Sequence, residues 1–211
     1  MVGVFVDGGG EMREIPILFS TPMVQAILDG RKTMTRRIIK PQPLWVAEPS
    51  IPFKTEDADP KGIIKCPYGE PGDRLWVRET WADNIPGCPN GITYRADHID
   101  PKGDGPANPI KWKPSIYMPK EIARIWLEVT NVRVERLQEI TEEDARREGF
   151  EPIPCDCSNR GAFGCTDCMN TGVTEPAMLE FIDTWDSIYS KRGYGWDTNP
   201  WVWVIEFKAV E

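Results

Sequence analysis

The sequence has very little histidine and no long hydrophobic run, and these absences exclude several classes of protein. Its 211 residues include one histidine, His98, which lies in a polar stretch. Catalytic triads built on histidine and histidine-rich metal centres are therefore disfavoured. No stretch approaches the roughly 20 apolar residues of a membrane-spanning helix. We therefore expect a soluble, cytoplasmic protein without a membrane partner.

Basic residues are also scarce, with 25 Lys and Arg against 33 Asp and Glu and a net charge of −8. This balance argues against non-specific DNA binding, which depends on surplus positive charge at the phosphates. One cluster has the opposite sign: residues 31–40, RKTMTRRIIK, hold five basic side chains and no acid. A solvated edge strand would explain such a run as well as a binding surface would.

The distribution of the 20 prolines indicates the domain organisation. Their clustering predicts long ordered loops at 41–71 and 97–119. At roughly 100–200 residues per domain, the length allows one or two domains. We predict a leader over 1–13 and a single domain over 14–211.

Hydrophobic patterning predicts six or seven strands and three helices, without regular alternation of strand and helix. An α+β fold with a mixed β-barrel and flanking helices is therefore expected, rather than a doubly wound sheet. The predicted strands are 14–20, 35–39, 74–80, 92–96, 124–137 and 201–210, and the predicted helices are 22–29, 141–148 and 178–189.

Two of the helices have clear starting signals. Thr21 is the expected N-cap of the first, with Pro22 at its first position and Gly30 after its end. The second is expected to begin at Thr141, with Asp144 at the capping-box position.

The strongest chemical signal is a cysteine cluster, which predicts a zinc-binding insertion over 151–174. Two close pairs across a short loop can place four thiolates around a tetrahedral Zn²⁺, and four protein ligands indicate a structural site. The alternatives are two disulfides or four free thiols, and the cytoplasm and the strained Cys-x-Cys ring disfavour the disulfides. The predicted ligands are Cys155, Cys157, Cys165 and Cys168. The remaining cysteines, which both precede proline and stay unassigned, are Cys66 and Cys88.

The basic segment 30–37, GRKTMTRR, is expected to end a helix and begin a strand. Thr35 and Arg37 then share one face of the strand, and Lys32 projects from the turn before it. A hydroxyl, an ammonium and a guanidinium group can therefore converge. They could bind an anion, or Lys32 could activate Thr35 if burial and the neighbouring arginine lower the lysine pKa.

This segment resembles the G-x-K-x-x-T-x-R signature of the ASCH family, whose members are small PUA-like β-barrel proteins. Three further features match in chain order: the Gly72-Asp73 turn into an apolar strand, the ITEEDARREG helix at 140–149, and the closing strand VWVIEFK at 202–208. The whole chain is similar to phage and prophage-borne ASCH proteins. The loop at 41–71 and the cysteine insert lie outside the minimal domain.

Some bacterial ASCH proteins are amidohydrolases that deacylate cytidines such as N4-acetylcytidine, using a Lys, a Thr and a Glu. The resemblance implies Thr35 as nucleophile, Lys32 as its base, and Glu148 as a general acid/base or as the group that holds Lys32. It also implies Arg37 as a binding residue. Independently, Glu148 is unusual because an anion at a helix C-terminus is disfavoured by roughly 0.3–1 kcal/mol. An exposed glutamate is the alternative explanation.

The PUA-like fold further implies a cleft that receives a nucleoside or a flipped, single-stranded base. Aromatic side chains near strand ends could stack on that base, although core packing is the favoured explanation of any single Trp. The remaining candidates for substrate binding are Arg36, Trp76, Glu79 and Tyr94, with Trp81 as a further aromatic.

Three functions follow from these features. The first is amide hydrolysis on a modified nucleoside, for which an acidic surface is no obstacle. The second is a non-catalytic RNA-binding module that uses Arg36, Arg37 and Lys40 on phosphates. The third is a phage-related assembly or interaction protein that docks through the zinc loop. The chain is longer than the minimal enzymes, and its added loops could alter the pocket, so function transfers less readily than fold.

Overall fold

The structure is a computed structural model that describes residues 11–47, 51–53, 62–85, 87–98, 110–155 and 173–210. These residues form an α+β fold, as the sequence predicts, with a five-stranded mixed sheet and three α-helices. Within these ranges, every helix is too short or too polar to cross a membrane.

The helices are α1 (Thr21–Leu28), α2 (Glu142–Arg147) and α3 (Ala177–Tyr189). The strands in the described ranges are, in chain order, β1 (Glu14–Leu18), β2 (Met34–Ile38), β3 (Trp45–Ala47), β4 (Ile51–Phe53), β5 (Arg74–Arg78), β6 (Trp81–Ala82), β7 (Thr93–Tyr94), β8 (Trp126–Arg136), β9 (Ile153–Pro154), β10 (Val173–Glu175) and β11 (Trp201–Val210).

The main sheet has the strand order β1-β5-β8-β11-β2, with β1 parallel to β5 and the other pairs antiparallel. Its two edges, β1 and β2, approach each other: the Arg37 Nη2 on β2 donates to the Leu18 carbonyl at the end of β1, at 2.8 Å. No backbone ladder joins the two edges among the residues that the structure describes. The closed barrel implied by the resemblance is therefore not seen in them.

The core lies on both faces of β11, which explains the dense apolar sequence of this strand. Val202 and Val204 belong to one cluster, with residues of α2 and α3. Trp203 and Ile205 belong to the other, with residues of α1, β5 and β8. Because successive side chains of a strand point to opposite faces, a strand buried on both faces has no polar alternation.

The helix starts are close to those expected. α2 begins with a capping box, in which the Asp144 backbone N–H donates to Thr141 Oγ1 at 3.1 Å and the Thr141 N–H donates to the Asp144 carboxylate. α1 begins one residue earlier than expected: Ser20 is the N-cap and makes no side-chain cap, and Thr21 is already helical.

The predicted strand at 92–96 is shorter in the structure. Only Thr93–Tyr94 is a strand, and a 3₁₀ turn follows at Arg95–Asp97. A tertiary contact holds this turn: the Gln25 side chain of α1 donates to the Ala96 carbonyl at 3.0 Å. The residue preferences of a short segment cannot predict a contact with a distant helix.

Gly149 sets how closely α2 approaches the turn between α1 and β2. Its φ is +98°, and a Cβ at this position would lie 2.8 Å from the Ala26 Cβ and 3.2 Å from the Lys32 Cβ. The Arg31 and Lys32 N–H groups donate to the Ala26 carbonyl, each at 2.9 Å. The turn that carries Lys32 is therefore packed between the ends of two helices.

Replacing Gly149 by alanine should destabilise the fold more than the same change at Gly30. Gly30 also has a positive φ, +74°, but a Cβ there would meet no atom within 4 Å. We expect Gly30→Ala to lower the free energy of unfolding by about 1–2 kcal/mol from backbone strain alone. Gly149→Ala should lower it further, by about 1–3 kcal/mol more, because it overpacks the contact. Urea denaturation of both variants tests this, and equal losses would contradict it.

Candidate active site

Lys32 is the centre of a buried ion pair. It is 3% exposed, and its Nζ donates to the Glu148 carbonyl at 2.6 Å and to Glu148 Oε2 at 2.8 Å. Glu148 is the C-cap residue of α2. The ammonium group therefore compensates both the carboxylate and the negative end of the helix, which explains an acidic side chain at an otherwise unfavourable position.

The pKa of Lys32 is lowered from its ordinary value, and burial is the main cause. Glu148 opposes this shift by its charge and its hydrogen bond, and the positive charges of Arg37 and Arg36 add to it. A lysine that loses its proton more readily than usual is suited to act as a general base.

Arg36 joins the same cluster from β2. Its side chain is fully buried, and its Nη1 lies 3.5 Å from Glu148 Oε1. Its Nη2 donates to Asp144 Oδ2 at 2.9 Å and to Glu135 Oε2 at 3.2 Å. Burial would raise the pKa of Asp144, but Arg36 reverses the effect and holds that pKa below its ordinary value. Three carboxylates from two elements thus surround one buried guanidinium.

The charge network continues across the sheet. Arg133 on β8 binds both Glu135 and Glu206. Arg147 on α2 donates to Glu206 Oε2 at 2.8 Å, and its N–H groups also reach the Thr33 hydroxyl at 3.4 Å. The network therefore ties α2 and the turn before β2 to the central strands.

Two polar atoms in this cluster are buried without a hydrogen-bond partner in the described residues. They are Glu148 Oε1 and Arg36 Nε. A buried acceptor without a donor is unfavourable by about 1–3 kcal/mol. Glu148 is also one of the residues that line a cavity.

Thr35 and Arg37 lie on the opposite face of β2 from Arg36, as their pairing with Ile205 and Trp203 of β11 shows. The Arg37 guanidinium carbon is 5.2 Å from the centroid of the Phe19 ring, and Lys32 Nζ is 5.4 Å from the same centroid. Both cations therefore lie against the residue that follows β1.

These groups line one cavity of about 370 Å³ in the gap between the two sheet edges. The predicted residues Lys32, Thr35, Arg36, Arg37 and Glu148 all contribute to its wall. The rest of the wall is mainly apolar and comes from the end of β1, from α1, from the segment that follows α2, and from α3. These apolar residues are Leu18, Phe19, Met23, Phe150, Phe181, Trp185, Ile188 and Tyr189.

The other predicted binding residues lie outside this cavity. Trp76 is buried on β5, where it pairs with Trp126 of β8. Glu79 is buried and accepts hydrogen bonds from Arg124 at 2.8 and 3.0 Å, and burial raises its pKa. The Arg124 guanidinium carbon also lies 4.1 Å from the centroid of the Tyr94 ring. Tyr94 lines a different cavity from the one that contains Lys32. Trp81, the further aromatic, is buried with its ring 4.7 Å from Lys113 Nζ.

The aromatic wall from α3 was not predicted as part of a site. The stripe at 178–189 was evident in the sequence, but helical periodicity shows that a face is apolar and does not show whether it meets the core or a cavity. In the structure, Phe181 and Trp185 pack in the apolar core cluster and also line the cavity.

The predicted zinc ligands fall largely outside the described residues. Cys155 is described, but Cys157, Cys165 and Cys168 lie in 156–172, which the structure does not describe. Within the described ranges, no three or more His, Cys, Asp or Glu side chains are placed to hold a metal. The zinc site therefore stays a prediction. Of the unassigned cysteines, Cys66 has its pKa raised to about 11 by burial, so its thiol should be unreactive near neutral pH.

Comparisons with known proteins add little to this geometry. No protein-family model matches the sequence, and no curated protein matches it. Among solved structures, the crystal structure of protein EF3133 from Enterococcus faecalis V583, assigned to the family DUF984, aligns with a TM-score of 0.37 and 10% identity. The alignment covers 96% of this chain and 82% of that one. A similarity at this level says nothing about function.

The Lys32–Glu148 pair should be energetically coupled. Lys32→Met or Glu148→Gln alone leaves a buried charge without its partner, so each should lower the free energy of unfolding by about 3–5 kcal/mol. The double variant should lose at least about 1 kcal/mol less than the sum of the two. Urea denaturation of all three variants measures the coupling.

The exposed pair of Lys208 and Glu128, 3.1 Å apart, is a matched control. Lys208→Met should change the free energy of unfolding by about 1 kcal/mol or less, because water screens the pair. Strictly additive losses at Lys32 and Glu148 would show that they do not act as a pair.

Proposed function

We propose that the protein is an amidohydrolase that removes an acyl group from the exocyclic amine of a modified cytosine, as in N4-acetylcytidine. The observation that carries the proposal is the buried Lys32–Glu148 pair, which lines one cavity together with Thr35. The assignment of cytosine as the base rests on the ASCH resemblance. On the same resemblance we interpret the five-stranded sheet, whose two edges approach each other, as the PUA-like barrel of that family.

In the proposed reaction, Lys32 first gives up the ammonium proton that it carries in the ion pair, which its lowered pKa favours. Thr35 Oγ1 then attacks the acyl carbonyl carbon while its proton passes to the neutral amine of Lys32. The C–N bond then breaks, and Lys32 returns the proton to the departing exocyclic nitrogen. Water hydrolyses the resulting threonine ester: its hydroxyl adds to the acyl carbon and the proton returns to Thr35 Oγ1 through Lys32. The products are the free cytosine amine and a carboxylic acid.

The other charged residues have defined parts in this scheme. The Glu148 carbonyl oxygen and Oε2 hold Nζ in place. Glu148 Oε1, which lies 3.5 Å from Arg36 Nη1 and makes no hydrogen bond in the described residues, can accept the substrate amide N–H. Arg37 is anchored through Nη2 to Leu18, so its remaining N–H groups and its charge can stabilise the developing oxyanion.

The apolar part of the cavity suits a flat, neutral base. Trp185 and Tyr189 from α3 line it, and base–aromatic stacking contributes about 1–3 kcal/mol per base. A neutral base held in a small cavity needs no extended basic track, which agrees with the net charge of −8.

Thr35→Val, which removes the hydroxyl at nearly constant volume, should lower deacylation of N4-acetylcytidine by about 10²–10⁴-fold. Thr35→Ser should retain measurable activity because it keeps an oxygen nucleophile. Cytidine release is followed by chromatography. The control is Thr130→Val, at an exposed position on β8 outside the cavity wall, which should keep the wild-type rate.

Two outcomes would count against the mechanism. Full activity of Thr35→Val would exclude the threonine as nucleophile. Release of no cytidine from any acylated nucleoside at high enzyme concentration would exclude hydrolysis of these substrates. In that case a non-catalytic, base-binding module would be the better description, and salt-dependent RNA affinity would be its signature.

We further propose a structural zinc bound by Cys155, Cys157, Cys165 and Cys168, on the spacing of the four cysteines. Elemental analysis of protein purified without chelators should find about one zinc per chain. Cys165→Ser should lower the zinc content by at least half, because four-thiolate sites tolerate ligand loss poorly. Cys88→Ser should retain the metal. A wild-type protein without zinc would overturn the assignment.

A further inference from the structure

A second cavity, of about 360 Å³, lies beside the first and has a different electrostatic character. Three cations line it, and no carboxylate does so among the residues that the structure describes. The lining residues are Ile38, Lys40, Ile64, Lys65, Pro67, Tyr68, Tyr189, Arg192 and Trp203. We refer to Lys40, Lys65 and Arg192 as the cation cluster.

The members of the cation cluster differ from many other basic side chains of the protein in having no carboxylate partner in the described residues. Many other cations pair with a carboxylate whether they are buried or exposed: the buried Arg36 pairs with Asp144, and the exposed Lys208 pairs with Glu128. By contrast, no ion pair joins the cation cluster to a carboxylate in the described part of the chain; Lys40 Nζ instead lies 5.3 Å from the Tyr194 ring centroid. Three cations around one concavity repel each other, and an anion would relieve that repulsion.

The second cavity continues directly from the candidate active site. Tyr189 lines both cavities. Along β2, Thr35 and Arg37 line the first cavity and Ile38 lines the second, so Thr35 and Ile38 are about 10 Å apart at 3.3 Å per residue. The Tyr68 phenol is close enough to Arg37 and Tyr189 for both to influence its pKa, which burial raises. The candidate active site and the second cavity are therefore neighbours along β2.

We propose that the cation cluster is a phosphate subsite, and hence that the substrate carries a phosphate. The ligand is a nucleoside phosphate or the phosphodiester of a short single strand, with its base in the first cavity and its phosphate in the second. The assignment of the base rests on the proposed function. The phosphate assignment rests on the cation cluster and is tested separately by binding.

The binding test compares cytidine 5′-monophosphate with cytidine by isothermal titration calorimetry. The wild-type protein should bind the monophosphate at least about tenfold more tightly, because charge-assisted hydrogen bonds to phosphate are strong. Lys40→Ala and Arg192→Ala should each reduce this ratio by about threefold or more. Lys191→Ala, an exposed neighbour that does not line the cavity, should preserve the ratio.

Added salt should weaken binding of the monophosphate and leave that of cytidine nearly constant. Equal affinities for the two ligands, or a ratio that survives both the Lys40 and the Arg192 substitutions, would overturn the phosphate subsite.

The activity test separates this inference from the proposed function and identifies the source of the phosphate. It compares N4-acetylcytidine, its 5′-monophosphate and a short single-stranded RNA that contains one N4-acetylcytidine. Higher kcat/KM for the monophosphate supports a nucleotide substrate, and higher kcat/KM for the RNA supports a phosphodiester. Fastest turnover of the free nucleoside would overturn the subsite but retain the hydrolase. If no substrate is cleaved while the monophosphate binds more tightly than cytidine, the hydrolase fails and the subsite stands.

Discussion

The buried contact between Lys32, Glu148 and Arg36 is the constraint on which the rest of the structure depends. These charges come from a turn, from the end of α2 and from an edge strand, so they meet only when all three elements are in place. Transfer of a charge out of water is unfavourable by several kcal/mol, and it is tolerated when partners of opposite polarity surround the charge. Here Asp144, Glu135 and the Glu148 carbonyl supply most of these partners, while Glu148 Oε1 and Arg36 Nε have no hydrogen-bond partner in the described residues.

This constraint also determines where the cavity lies. β2 is a sheet edge in the described residues, with Arg36 on one face and Thr35 and Arg37 on the other. The network holds the first face against α2, and the second face remains beside the gap toward β1. α3 contributes aromatic side chains to the cavity wall, so that charged and apolar groups line the same cavity.

The basic side chains of this acidic protein fall into two groups, those with a carboxylate partner and those without one in the described residues. Cations that pair with carboxylates, such as Arg36 and Arg133, stabilise contacts between elements. Cations without a described carboxylate partner, such as Lys40, lie along the cavities. The net charge of −8 therefore conceals a local positive surface, and the partners of each cation say more about binding than the total does.

The local part of the site was predictable from sequence. Lys32, Thr35 and Arg37 lie within six residues, and a turn followed by a strand brings them together by local geometry. The capping box of α2 and the apolar closing strand were equally evident, and the family resemblance indicated Glu148. Tertiary structure alone decided that Arg36 is buried between Asp144 and Glu135, that α3 forms the cavity wall, and that Trp76 and Tyr94 lie elsewhere. Periodicity identifies the faces of an element, but contacts made across about a hundred residues depend on how the elements pack, and no short segment encodes that.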